Sequence, residues 1–168
     1  PGTSEMHFMA ALDRTNALRC ILGLQENVVT GAADGYGRMA EKPAATLLHL
    51  GPGLGNGLAN LHNASKAGTG IVNIVGDHAT SHVEYNAPLT ADIEGIARPV
   101  SQWVKTSPAA KDIATDGAET ALHSFWNNVE HRYEERRHDT ERPILPPDAL
   151  YSPPEDMLGI LDSRGLIR

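Results

Sequence analysis

Two short apolar runs, residues 44–50 and 71–75, stand at either end of a glycine-rich segment, and this spacing constrains the fold more than any other feature of the chain. Leu47, Leu48 and Leu50 in the first run and Ile71, Val72, Ile74 and Val75 in the second are nearly continuous. Such runs suit strands covered on both faces of a parallel sheet. Parallel neighbours need a crossover, and residues 58–66 suit a short helix between them. The expected unit is a strand, a glycine-rich turn from Gly51 to Gly57, a helix and a second strand, connected with right-handed sense. The predicted class is α/β, a parallel sheet flanked by helices.

Around this unit the spacing predicts a helix over residues 25–40, ended by Pro43. Its Gly31, Ala32, Ala33, Gly35 and Gly37 are poor choices on propensity, since an interior glycine costs about 1 kcal/mol relative to alanine, so something must approach that helix closely. Leu18, Cys20, Ile21, Leu22 and Leu24 read as a further buried strand over 17–24. The chain opens on a turn running into a helix, with Thr3 or Ser4 as the cap. Residues 82–86 read as a loop, 88–96 as a short helix, 100–105 as a strand containing Trp103, and 109–137 as a helix. Prolines at 143, 146, 147, 153 and 154 then break regular structure.

A length of 168 residues fits one domain with a genuine core. The net charge of −7 argues against a nucleic-acid surface, which relies on clustered Lys and Arg, and the basic residues near Arg136 are interleaved with Glu130, Glu134 and Glu135. No window approaches the ~18 apolar residues of a membrane span. With Cys20 alone, neither a disulfide nor a thiolate zinc site forms within the chain, which fits a reducing cytoplasm. The opening Pro1-Gly2-Thr3-Ser4 carries no visible signal peptide and reads as a cut point in a larger domain.

In parallel sheets functional groups gather beyond the carboxyl ends of the strands. Here those ends carry Glu26, His49 with Gly51, Pro52 and Gly53, and Asp77-His78. Glu26 is either a first-turn helix acid favoured by the dipole or a partly desolvated carboxyl with a raised pKa, suited to holding a proton. The glycines either make a tight turn or present backbone N–H groups to an anion or a flat polar ring. A dinucleotide fingerprint is absent, because Asn56 stands three residues after Gly53. His49 is either a hydrogen-bonded core histidine or a site residue, and His78 with His82 lacks a third ligand at useful spacing, so no metal site is expected.

Pro1-Gly2-Thr3-Ser4-Glu5, Leu24-Gln25-Glu26 with Ala33-Asp34-Gly35-Tyr36, Leu48-His49, Gly51-Pro52-Gly53 with Asn56, and Val75-Gly76-Asp77-His78 occur here in order. Together they resemble the pyrimidine-binding domain of thiamine-diphosphate-dependent enzymes, in the benzoylformate decarboxylase and acetolactate synthase group. The resemblance runs from Pro1 to about Pro108, and it implies a partial domain over residues 1–122 followed by a divergent helical and Pro-rich tail over 123–168. It implies thiamine diphosphate as cofactor, with Glu26 bonding N1′ of the aminopyrimidine so that the 4′-nitrogen removes the thiazolium C2 proton. It places Pro1, Gly2, Gly51, Pro52, Gly53 and Asn56 at the cofactor. His49 becomes a catalytic histidine, and Thr3 and His78 lie on the substrate side. His78 stands where relatives often carry glutamine.

The departures shape the expected function. The motif through which such enzymes hold the diphosphate and Mg²⁺, with a Gly-Asp-Gly start and an Asn-Asn end, does not occur, because no Gly-Asp-Gly stands anywhere ahead of Asn127-Asn128, and the family's first helix and strand have no counterpart before Pro1. Two classes of function follow. One is part of a 2-oxo acid decarboxylase or carboligase, inactive without a diphosphate-binding domain or subunit and homo-oligomeric in the full enzyme. The other is a non-catalytic interaction domain that retains the fold.

Overall fold

The computed structural model describes residues 1–124. In chain order its elements are α1 (Met6–Leu12), α2 (Glu26–Ala40), β1 (Ala44–Leu48), α3 (Leu50–Lys66), β2 (Ile71–Val75) and α4 (Ile93–Ala97), and residues 113–124 are also helical. Strands β1 and β2 pair in parallel, from Ala44 opposite Ile71 to Leu48 opposite Val75. Helix α3 is the crossover. The expected strand–helix–strand unit of a parallel sheet with flanking helices is therefore present. Thr46 and Asn73 are partners in the register, and the Thr46 hydroxyl donates to Asn73 Oδ1 at 2.7 Å, which satisfies a buried polar group inside the sheet.

Helix α3 begins earlier than the sequence suggests. Gly51 to Gly57 form its first two turns instead of a loop. The reason is the burial period: Leu50, Leu54, Gly57, Leu61 and Ala64 recur every three or four residues and line one face. The glycines serve close contacts within that helix. A Cβ on Gly57 would lie 2.8 Å from Thr30 Cγ2 of α2, and the buried Thr30 hydroxyl donates to the Gly57 carbonyl at 3.1 Å. Asn60 of α3 likewise donates to the Asn27 carbonyl at 2.7 Å. The element that the small residues of α2 admit is thus α3. Gly35 of α2 and Gly55 of α3, by contrast, have open space where a Cβ would stand.

The junction between β1 and α3 turns on Leu50, whose φ of 48° lies in the left-handed region. That conformation costs a branched residue about 1–2 kcal/mol. Complete burial of the Leu50 side chain offsets it. Leu48, Leu54, Leu61 and Ala97 form the core, with Ile71, Val75, Ile93, Ile96, Val100 and Val104 packed around them. It lies between the sheet, α3 and α4.

Several expectations fail. Residues 17–24 form no strand, and Leu18, Ile21, Leu22 and Leu24 are largely exposed, because among the described residues the sheet has only two strands and offers this run no ladder partner. Residues 100–105 are not a strand either, since Val100 and Val104 pack against the core while the segment pairs with neither β1 nor β2. The helix expected over 88–96 shortens to α4, where Asp92 accepts from Gly95 N at 2.8 Å and fixes the start. Neither Thr3 nor Ser4 caps the opening turn, because Gly2 holds the cap position and donates its N–H to the Glu5 carboxylate. The loop at 82–86 contains a short 3₁₀ turn, Val83–Tyr85. Of the helix expected over 109–137, residues 110–112 are 3₁₀ and 113–124 helical. Its remainder, and the tail beyond residue 124, lie outside the described residues.

Candidate functional site

The site forms where the start of α2, the end of β1 and the first turn of α3 meet. Gln25 caps α2 through its side-chain oxygen, which accepts from Val28 N at 3.2 Å, and this sets Glu26 as the first helical residue. One carboxylate oxygen of Glu26 accepts from Asn56 Nδ2 at 3.0 Å. The other faces Gly53, where a Cβ would stand 3.3 Å from Glu26 Oε1 and 3.3 Å from His49 Cβ. Only a residue without a side chain leaves that space between the acid and the histidine open.

The expected raised pKa of Glu26 is overturned. The Asn56 amide first, and its own backbone N–H second, hold the Glu26 carboxyl below its ordinary value of 4.5, and the small opposing effect of burial does not overcome them. Glu26 is therefore an ionised acceptor near neutral pH. Because folding depresses this pKa, the stability it contributes is present above about pH 4.5 and is lost as pH falls through the folded value. Replacing Asn56 with alanine removes the main cause, so carbon NMR of the Glu26 carboxyl should show titration closer to the ordinary range. An unchanged titration would assign the depression to the helix N-terminus instead.

His49 occupies the cap position of α3, but its side chain does not cap the helix. Its Nδ1 lies 2.9 Å from Glu5 Oε2, and Gly2 lies flat against the ring, where a Cβ would come within 2.4 Å of Cε1. Gly2, Glu26, His49, Gly53 and Asn56 are thus brought together. Pro1 adjoins Gly2 by sequence. Gly51 packs against Ala91, with a Cβ position 2.3 Å from its Cβ. Pro52 and Thr3 are exposed. The His78 ring meets His82 edge-on at 5.2 Å, and His82 in turn meets Tyr85 at 5.6 Å, so His78 is held by ring contacts in the segment after β2. Glu5, buried beneath His49, is the polar residue that sequence reasoning left without a role. Its only sequence signal is its place four residues after Pro1 in the opening turn.

Residues 1–98 match the family model described as thiamine pyrophosphate enzyme, N-terminal TPP binding domain. The chain belongs to that family. It is 61% identical over 122 residues to a Mycobacterium tuberculosis protein provisionally named acetolactate synthase large subunit IlvX, covering 73% of this chain and 24% of that protein. It is 32% identical over 114 residues to benzoylformate decarboxylase of Pseudomonas aeruginosa, covering 67% of this chain and 21% of the relative. Among solved structures, the thiamine diphosphate-dependent 4-hydroxybenzoylformate decarboxylase of Rhodococcus jostii RHA1 superposes with a TM-score of 0.66 at 25% identity, covering 72% of this chain and 23% of that one. The chain therefore spans about a quarter of the length of these relatives.

The residues present suit the pyrimidine side of the cofactor that the family implies. An anionic carboxylate beside a position that a Cβ would fill, with an amide at 3.0 Å, is a receptor for a flat ring bearing a protonated nitrogen. Among the described residues, no group of three or more His, Cys, Asp or Glu could hold a metal ion, and no helix is long and apolar enough to cross a membrane.

Proposed function

We propose that this chain supplies the pyrimidine-side half of a thiamine diphosphate site in an enzyme of 2-oxo acid decarboxylation or carboligation, of the acetolactate synthase type. The observation that carries this reading is the ionised Glu26 carboxylate, held by Asn56 across an open Gly53 from His49. Glu26 acts through its charge: an anion set against a ring nitrogen favours the form of the ring that carries a proton there. Gly53 admits the ring, and Pro1, Gly2, Gly51, Pro52 and Asn56 border it. The cofactor supplies the electron sink for the carbon–carbon bond that breaks or forms. His49 holds and returns a proton on the substrate side, and Thr3 and His78 contact the 2-oxo acid. A diphosphate-binding domain or subunit completes the site and brings Mg²⁺, within a cytoplasmic homo-oligomer.

Calorimetry tests the reading. Thiamine diphosphate with Mg²⁺ should bind weakly to the chain alone and more tightly once a diphosphate-binding partner is present. No heat under either condition would overturn it.

A further inference from the structure

Glu5 is 2% exposed, a degree of burial rare for a carboxylate without a task. It sits under the turn that opens the chain, against the end of β2, where a Cβ on Gly76 would collide with Glu5 Oε1 at 1.6 Å. Glycine at 76 is what makes room for the carboxyl. Oε2 accepts the Gly2 backbone N–H and lies 2.9 Å from His49 Nδ1, whereas the buried Oε1 has no hydrogen-bond partner. Leaving a buried carboxylate oxygen unpaired costs about 1–3 kcal/mol, so packing alone does not account for this residue.

We infer that Glu5 is the positioning residue of His49: its buried carboxylate fixes the imidazole as the Nδ1–H tautomer and leaves Nε2 as the bare, proton-accepting nitrogen. Oε2 already accepts the Gly2 backbone N–H, and an oxygen serving as acceptor there takes its second hydrogen from the ring, so the hydrogen between Oε2 and Nδ1 belongs to His49. Neutral imidazole carries one N–H, which leaves the lone pair at Nε2. The His49 side chain is 26% exposed and Nε2 has no partner among the described residues, so that lone pair is available to substrate. A proton taken at Nε2 makes an imidazolium that the adjacent carboxylate stabilises, and its return restores the starting tautomer. Gly2 closes over the ring face and holds its plane. The logic is that of a base oriented by a carboxylate at its far nitrogen.

This role deepens the proposed chemistry of His49 and rests on it for its purpose, but its test needs no cofactor. Long-range proton–nitrogen correlation of the histidine rings in this chain, at a pH where His49 is neutral, reads the tautomer directly. The wild-type chain should show His49 protonated at Nδ1 and bare at Nε2. A wild-type spectrum with the proton on Nε2 overturns the inference, whatever any variant does. Glu5→Gln, whose amide oxygen can still accept from Gly2 and His49, should retain the tautomer. Glu5→Leu should lose it, with backbone shifts of β1 and β2 confirming the fold. A folded Glu5→Leu chain that keeps the Nδ1–H form would also overturn the assignment. Failure to bind thiamine diphosphate would sink the functional reading and leave this result standing.

Discussion

Glu26→Gln should slow thiamine-dependent catalysis by about 10²–10⁴-fold in the chain completed with a diphosphate-binding domain, the range lost when a positioned proton-transfer group is removed. The substitution keeps the length and shape of the side chain, and an amide at position 26 can still bond to Asn56. What it removes is the charge. A neutral amide no longer favours a protonated ring nitrogen, so the rate of deuterium exchange at the cofactor's thiazolium C2, read by quenched NMR samples, should fall with the activity. Binding should change far less, because Gly53 and Asn56 remain. An unchanged exchange rate with intact binding would remove Glu26 from the chemistry, and a wild-type chain without any exchange would favour the non-catalytic interaction domain.

Leu54→Ala should cost about 2–5 kcal/mol of stability, a large part of the 5–15 kcal/mol of a typical domain. Leu54 is 2% exposed and sits at the centre of the core, one helical turn after Leu50 and in one cluster with Leu48, Leu61 and Ala97. Truncation leaves a cavity between α3 and its neighbours, and neither the sheet nor the α2–α3 contact can collapse into it without disturbing Gly57 against Thr30. Urea denaturation should show the midpoint fall with little change in slope. Leu24→Ala is the control: Leu24 is 95% exposed, so its loss should stay within about 0.5 kcal/mol. A small effect at Leu54 would mean that the core tolerates voids.

The strand–helix–strand unit was legible because apolar runs report where a chain must be covered, and the crossover helix buries Leu48 and Leu50 of the first run, while residues 71–75 are half-buried and not covered on both faces as expected. Residues 17–24 carry the same signal but find no ladder partner among the described residues. Hydrophobic pattern states what a segment needs, and the partner that meets the need is non-local. The glycines misled in a different way. Seven residues holding four glycines read as a turn by propensity, yet contacts with α2 and with Ala91 select glycine inside a helix, where tertiary packing outweighs propensity. At the site, the residue types of Glu26, His49, Gly53 and Asn56 were readable from the ordered motifs. Electrostatic sign was not, because the Asn56 bond that lowers the Glu26 pKa joins positions 30 residues apart. Glu5 escaped for the same reason, being 44 residues from the histidine it touches.

Left-handed Leu50 joins β1 directly to α3, so the chemistry and the core share one helical reading frame. His49, Gly53 and Asn56 face the site from the same first turns in which Leu54 faces the core. One extra residue between His49 and Gly53 would rotate everything after it by about 100°. Asn56 would swing away from Glu26 as Leu54 swung out of the core. Length variation is therefore closed to this segment and open to the loops after β2, such as residues 79–91, where no core residue depends on the phase of a helix.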